Sequence, residues 1–565
     1  MTNIIDFIKK QIEEKIKISL ETAVQNGVFQ EFEIPDITIE IPREKGRGEF
    51  SANTAMQLTK KVGKPPRIIA EEIIKNFDTS NTYVDKIECA GPGFINFYLK
   101  KKWFYDALLL ISERKENYGN TDIGQGKKVM VEFVSANPTG PLHMGNARGG
   151  ALGDSIAAVL AAAGYDVTRE FYINDMGNQI MNFGKSLEAR YIQEIKGEEA
   201  IEFPEDGYFG EDIKQHAKEY IKEHGTSLLD KDSEERRDIL VRYALDINLK
   251  NIKETLQKYG VDFDVWFREK SLYDNGTVED TMKFLKDKDY TIEKEGAIWL
   301  KAEAAGLEKD EVLIKSNGFY TYLTPDIAYH KNKFIDRGFD WVINLLGADH
   351  HGHAVRLKSI LKNTMGIAPE RFDIVLFQLV RLYSDGEIVR MSKRTGKAVS
   401  LTDLMEDVGV DAARFFFSMK AAGTHLDFDL DLAVEQSNEN PVFYVQYAHA
   451  RICSMLSLLE KEGYKIPLAE DVKLELLTTK EEEELMAKLA ELPEEMKISA
   501  LTLEPSRLTR YLLETAGLFH SFYNSCRIKG ENKELAEARL FLVLAVKIVI
   551  ANVLGVLKIA APDKM

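Results

Sequence analysis

Apolar residues at the start of the chain recur at helical spacing. Ile4, Ile5, Phe7, Ile8, Ile12 and Ile16 of MTNIIDFIKKQIEEKIKISL are spaced for one helix face and are interrupted by charge, which predicts an amphipathic helix and argues against a leader peptide. Shorter apolar runs of strand character follow, ITIEI and FINFYL (94–99). Residues 1–115 thus form a separate α+β unit, and Gly-rich NYGNTDIGQGKK (117–128) reads as a linker. The continuous run VMVEFV predicts a buried strand. The alanine-rich pattern ARGGALGDSIAAVLAAAGY then predicts a helix ending at Gly164, and DVTREFYIND a second strand. A strand–helix–strand unit with small residues at its first crossover is how nucleotide-binding α/β sheets begin.

From about 184 to 335 the periodicity is less regular. Acidic helical stretches and a strand pair (GAIWL, EVLIK) read as material inserted between two halves of the sheet. The second half resumes at WVINLLGADHHGH, and FDIVLFQLVRLYSDGEIVRMSKRTGK closes it around the hairpin signal Asp385-Gly386. From about 400 the pattern is helical to the end. Asn440-Pro441 starts one helix as cap and first-turn proline, and EEEE (481–484) reads as a solvated first turn capped by Thr478 or Thr479. The apolar stretch ARLFLVLAVKIVIANVLGVL is broken by Arg539 and Lys547, which favours a buried helix over a membrane span and predicts a cytoplasmic chain without membrane contact.

Composition changes this picture little. The 565 residues, 44% hydrophobic and 29% charged, suffice for several cores. A net charge of −17 disfavours whole-surface binding to polyanions but leaves room for a local basic groove. Cys89, Cys453 and Cys526 form no CxxC pair, so neither a disulfide framework nor a zinc site is expected.

The chemistry concentrates at SANPTGPLHMGNARGG, the joint between the first strand and helix. A helix N-terminus presents unpaired N–H groups that suit phosphate, and Gly140, Gly145 and Gly149 let the backbone approach a ligand closely. His143 and Asn146 add neutral donors. A strand–helix corner with a packed histidine is the plain alternative. Neither GxGxxG nor GxxxxGK[ST] is present, which disfavours a dehydrogenase-type site and a P-loop. Farther along, VRMSKRTGK carries Arg390, Lys393, Arg394 and Lys397 without an acid, a basic loop able to clamp a triphosphate or else a solvated surface loop. Together the two features supply what adenylyl transfer needs: in-line positioning and charge stabilisation. A planar cationic substrate would need carboxylates. Glu132 lies inside an apolar strand, where a carboxylate requires a cation, either substrate or an internal salt bridge. Asp326 follows Tyr322 by four positions, an aromatic face beside an acid. In NPVFYVQYAHARI, helical spacing places Tyr444, Tyr447, Ala448 and Arg451 on one face, suited to stacking on splayed bases or to a core-facing stripe.

HMGN with MSKR resembles the signature pair of class I aminoacyl-tRNA synthetases, HIGH and KMSKS. SANPTGPLHMGNARGG, FYINDMGNQI, TYLTPDIAYH, GADHHGH, NPVFYVQYAHARI and AGPGFINFYL narrow the resemblance to the arginyl-tRNA synthetase family, from about residue 45 to Met565. The resemblance implies a multidomain fold: an N-terminal α+β domain (1–115) contacting the tRNA elbow, an α/β Rossmann-like parallel-sheet catalytic domain (116–395) with insertions at about 184–335, and a C-terminal all-α helical bundle (396–565) for stem contact and anticodon binding. It implies catalytic roles for His143, Asn146, Lys393 and Arg394. It places Pro138, Gly145, Asp349, Met391 and Ser392 at ATP, and Glu132, Ser135, Asn137, Tyr322, Asp326 and His350 at arginine. Asn174, Asp175 and Gln179 lie near this pocket. Tyr444, Tyr447, Ala448 and Arg451 would meet the anticodon. Asn146 stands where the family's motif often ends in histidine. The implied reaction takes ATP with Mg2+, arginine and tRNA(Arg), in a monomer with no structural metal; family membership further implies that tRNA is needed for activation. A metal site at DHHGH is disfavoured, because adjacent His350 and His351 point apart in regular structure. Two rivals stay open, a non-catalytic tRNA-binding paralogue and a small-molecule adenylyltransferase.

Overall fold

The computed structural model describes residues 3–42, 44, 46–389, 391 and 399–565. Helix α1 (Ile4–Gln25) starts at Asn3, whose side chain accepts from the N–H groups of Ile5 and Asp6. It buries Ile4, Ile5, Ile8, Ile12 and Ile16, whereas Phe7 lies off that face, 42% exposed, edge-on to Tyr83. Strands β1 (Ile39–Glu40), β2 (Phe50–Ala52), β3 (Val84–Ala90) and β4 (Phe94–Leu99) form an antiparallel sheet in the order β1-β2-β4-β3. ITIEI therefore contributes only two ladder residues, while FINFYL is β4 throughout. Residues 117–128 are packed rather than loose. Tyr118 is buried and donates to the Leu489 carbonyl, and Thr121 and Gly124 donate to the end of the helix that follows β5.

The central sheet is built from β5 (Lys128–Glu132), β6 (Asp166–Ile173), β7 (Val265–Arg268), β11 (Trp341–Gly347) and β12 (Phe372–Phe377), all parallel, in the order β12-β11-β5-β6-β7. The order reverses at β5, so a crevice opens beyond the carboxyl ends of β5 and β11, the usual ligand position in such sheets. Helix α2 (Met144–Ala162) crosses from β5 to β6 and lies very close to the sheet. A Cβ at Gly153 would sit 2.2 Å from the Phe133 ring, and one at Gly149 3.1 Å from Phe377. Gly149 thus serves helix–sheet packing and not ligand approach.

The inserted region divides in two. Helices α3 (Gly177–Lys196), α4 (Glu211–His224) and α5 (Ser233–Lys258) pack around Phe183, Leu187, Tyr191, Ile213 and Leu240. The chain then returns to the main sheet as β7, an edge strand that the irregular sequence pattern concealed. Strands β8 (Thr291–Lys294), β9 (Ala297–Leu300) and β10 (Glu311–Ile314) form a small antiparallel sheet in which GAIWL and EVLIK pair. Helix α6 (Leu323–Lys331) and, after β11, α7 (His351–Met365) cover the sheet.

After β12 the chain leaves the main sheet. Strands β13 (Val380–Ser384) and β14 (Glu387–Val389) turn at Asp385-Gly386, both at positive φ as a tight hairpin requires. Helix α8 (Val410–Ser418) is followed by β15 (Leu426–Asp429), which pairs parallel with β13, so the region past 400 is not wholly helical. The remainder is a bundle of α9 (Pro441–Lys461), α10 (Lys480–Ala490), α11 (Leu492–Thr502), α12 (Ser506–Ser525) and α13 (Lys533–Val556). Asn440 caps α9, and Thr479 with Glu482 makes a capping box on α10. Glu482 is buried against Arg539 at 2.8 Å, so one member of EEEE is not solvated. Helix α13 is long and apolar enough to cross a membrane, yet it runs through the bundle with Val546, Val549, Ile550 and Val553 fully buried.

Asp154 of α2 joins this bundle to the sheet. It is fully buried, with Arg414 of α8 at 2.7 Å, Lys558 beyond α13 at 3.1 Å and Arg169 of β6 at 3.3 Å. Asp154→Asn would leave Arg414 buried without a counter-charge, and should lower unfolding free energy by about 3–5 kcal/mol in chemical denaturation.

Candidate active site

The first wall of the site is the turn after β5. Val134 and Ser135 have φ of 67° and 40°, and the Ser135 N–H donates to the Phe133 carbonyl at 2.9 Å. A β-branched residue at positive φ is strained, and such strain persists only where surrounding contacts impose it. Here they do: the Ser135 hydroxyl donates to Glu132 at 3.2 Å and accepts from the Tyr172 N–H at 3.2 Å. Pro138, expected at ATP, is buried, and its carbonyl accepts from Asn248 at 2.9 Å, so it shapes the turn from beneath. Asn137 donates to Gln179. His143 is exposed at the N-cap of α2, its N–H held by the Asn146 Oδ1 at 3.1 Å. The amide at position 146 thus closes the cap with its oxygen and leaves its NH2 without a protein partner among the described residues. Gly145 completes the first turn beside the His143 ring.

The second wall carries carboxylates. Glu132 is buried and paired with Lys333, which also donates to Asn344 at 3.2 Å; Asn344 contacts His330 at 3.0 Å. Of the two readings of Glu132, the structure supplies the internal salt bridge. His330 Nδ1 faces the Asp326 carbonyl at 2.8 Å, and burial holds the His330 ring neutral, its pKa well below the usual value. The Asp326 carboxylate lies 2.8 Å from His353, whose ring packs on exposed Tyr322; Arg356 donates to the Tyr322 hydroxyl at 3.2 Å. Facing this group, at the end of β7, stands Glu269. Burial pushes its carboxyl up to about 7; a hydrogen bond from Tyr172 opposes that rise, and the neighbouring charges of Asp326 and Asp175 add to it. Asp175 itself is tied to the Lys270 N–H at 2.9 Å and to Arg268 at 3.6 Å.

Sequence reasoning missed Glu269, Tyr172, His353 and Lys333. For Glu269 the signal was a carboxylate at a strand end, hidden because β7 lay in the apparent insertion. The remaining expected residues fall as follows. Asp349 and His350 are exposed just past β11, at the crevice, and Met391 is exposed past β14. Arg390, Ser392, Lys393, Arg394 and Lys397 lie outside the described residues. On α9, Tyr447 stacks on Phe443, Tyr444 faces His520 at 4.9 Å, and Arg451 lies 4.0 Å over Tyr523. Ala448 does not belong to that surface, because it is fully buried in the bundle. The one described cluster with metal-ligand spacing is His449, Cys453 and Asp563, far from this site in the bundle. There Cys453 donates to Asp563 at 3.1 Å, and Lys547 stands 3.8 Å from the same carboxylate.

A parallel sheet whose order reverses beside a donor-rich turn is the arrangement of nucleotide-binding α/β sheets. Residues 108–423 match the family tRNA synthetases class I (R), catalytic domain. Residues 7–99 match the arginyl tRNA synthetase N terminal domain and 445–565 the DALR anticodon binding domain. The chain is 65% identical to an arginine–tRNA ligase of Acetivibrio thermocellus and 61% identical to one of Ruminiclostridium cellulolyticum, each over 100% of both chains. The fold is that of Thermus thermophilus arginyl-tRNA synthetase, with a TM-score of 0.74 at 22% identity, over 99% of this chain and 100% of that one. The chain belongs to the arginyl-tRNA synthetase family.

Lys333→Met should leave Glu132 buried without its cation and cost about 3–5 kcal/mol in urea unfolding, while Lys333→Met with Glu132→Gln should recover most of that loss.

Proposed function

We propose that this chain condenses arginine with ATP and passes the arginyl group to tRNA(Arg), the arginine–tRNA ligase reaction of its family. A carboxylate oxygen of arginine attacks the α-phosphorus, the bond to the β-phosphate oxygen breaks, and pyrophosphate leaves with the bonding pair. The 2′-hydroxyl of the terminal adenosine then attacks the arginyl carbonyl and gives up its proton, the acyl–phosphate bond breaks, and AMP departs with the bonding pair. The observation that carries this reading is the set of carboxylates opposite the phosphate-type turn. Asp326 and Glu269, with Tyr172 and Tyr322 beside them, make an acid-walled space suited to a planar cation. Glu132 has Lys333, so in this reading it holds Ser135 in place beneath the substrate instead of gripping guanidinium.

Around the ATP, His143, Asn146 and Gly145 donate to phosphate at the α2 N-terminus. Lys393 and Arg394, with Ser392 and Met391, hold the leaving pyrophosphate, and Asp349 binds the ribose. Mg2+ brought in with ATP would offset the phosphate charge. Ser135, Asn137 and His350 orient the arginine amino and carboxylate groups. Tyr444, Tyr447 and Arg451, joined by His520 and Tyr523, offer stacking surfaces to anticodon bases. The N-terminal unit meets the tRNA elbow. The protein works as a cytoplasmic monomer.

With its carboxyl pushed up to about 7 by burial, Glu269 is partly protonated at neutral pH, and only its ionised form attracts guanidinium. Arginine binding therefore expels a proton below pH 7, and affinity rises with pH. The KM for arginine in ATP–pyrophosphate exchange, run with tRNA present, should fall by about tenfold from pH 6 to pH 8, as the competent fraction grows. Glu269→Gln should raise that KM and flatten its pH dependence. A wild-type KM unchanged across this range would remove Glu269 from the pocket. Asp326→Ala should raise the arginine KM by about 10²-fold, as loss of a charge-assisted pair implies, whereas Lys393→Ala should lower kcat with that KM nearly unchanged.

A further inference from the structure

Arg148 lies five residues past His143 on α2 and is fully buried, yet its guanidinium has no carboxylate partner among the described residues. Among the described residues it is held by three main-chain carbonyls: Gln378 at 2.6 Å, Thr424 at 2.9 Å and Ala421 at 3.2 Å. Its Nε has no partner among the described residues. Arg414 and Lys333, equally buried, each face an acid. Burying a cation without a counter-charge is costly, and here burial draws the Arg148 pKa down to about 10, so the side chain stays charged at neutral pH. A neutral apolar side chain would pack without that cost. The fork of the guanidinium must therefore supply something that packing does not.

What it supplies is a junction between segments. Gln378 is the first residue past β12, where the chain leaves the main sheet for the β13–β14 hairpin. Ala421 and Thr424 belong to the loop that leads into β15, the parallel neighbour of β13. The Gln378 N–H donates to Ala422 at 3.0 Å, so the two segments already touch, and Arg148 fastens both to the helix that carries His143 and Asn146. The other end of the basic segment returns to the same turn directly: Leu401 N–H donates to the Leu142 carbonyl at 2.9 Å, and Ser400 bridges His143. The base of the β13–β14 hairpin is thus tied to α2 through Arg148, and the chain at 399–401 is tied directly to the turn.

We propose that Arg148 is a positioning residue for adenylate formation: its fork to three carbonyls sets the spacing between the turn at His143 and the β13–β14 hairpin. This rests on the reading of turn and hairpin as the two sides of the ATP site. Lysine at this position keeps the charge but cannot reach three carbonyls from one planar group.

The test uses Arg148→Lys in the full-length protein, with ATP–pyrophosphate exchange in the presence of tRNA and arginine-induced thermal stabilisation measured side by side. The expected result is a kcat lower by about 10²-fold, the scale of a misplacement near 1 Å, with the arginine KM within about twofold and the stabilisation retained. Unchanged kcat would overturn the proposal, since charge alone would then suffice. A fall in kcat with a parallel rise in arginine KM would overturn it as well, by making the residue a general support of the fold. Insertion of one glycine after exposed Gly423 displaces the Thr424 carbonyl relative to Ala421 and leaves the Arg148 side chain unaltered. It should produce the same selective loss, and an unchanged kcat there would also overturn the proposal, even if Arg148→Lys fails to fold. Absence of arginine-dependent exchange in the wild-type protein would instead refute the proposed reaction itself.

Discussion

Helix α2 can lie against the sheet only because position 153 has no side chain; a single Cβ there would overlap the Phe133 ring. The rest of the molecule is arranged around that close approach. It brings the α2 N-terminus to the carboxyl end of β5, where the sheet order reverses and where N–H groups and helix dipole favour a phosphate. It also buries the helix so completely that its two charged side chains must find partners inside. Asp154 takes cations from β6, α8 and the segment after α13. Arg148 takes carbonyls from the chain at both sides of the hairpin. One helix therefore holds the turn, the hairpin and the C-terminal bundle in register.

Charge is distributed in the interior on a consistent principle. Where a carboxylate is permanently buried, a cation accompanies it: Lys333 for Glu132, Arg337 for Glu170, Arg539 for Glu482. Glu170 also accepts from the Tyr329 hydroxyl at 2.5 Å, so both its oxygens are engaged. Glu269 departs from the principle. It is buried beside Asp326 and Asp175, no cation pairs with it among the described residues, and burial pushes its carboxyl up to about 7, a perturbation of the kind found where a charged partner binds. Asp326, half shielded and leaning on His353, is the companion that stays available from the crevice.

Much of this could be read from residue patterns, and the failures have physical causes. The strand VMVEFV, the helix ending at Gly164, the Asp385-Gly386 hairpin and the Asn440 cap depend on local preference, and local preference is legible. Strand β7 was not, because four residues of edge strand in an acidic, irregular region carry little periodicity; with it went Glu269, whose meaning depends on being at a strand end. Ala448 shared helical spacing with Tyr444 and Arg451, but spacing cannot say which side of a helix a bundle covers. Gly149 looked like a ligand contact and is a packing contact, a distinction that only the position of Phe377 decides. The HMGN turn was found because its chemistry is contiguous. The acid wall was only half found, because its members come from β7 and α6, far apart in the chain.

The most direct measurement is tRNA charging with each amino acid in turn, using purified protein, ATP, Mg2+ and a total tRNA pool, followed by acid-stable label on the tRNA. The proposed reading predicts label with arginine, and lysine far below it, because a point charge cannot engage two carboxylates as a planar fork does. Charging with another amino acid in place of arginine, or tRNA binding without any charging, would contradict the account.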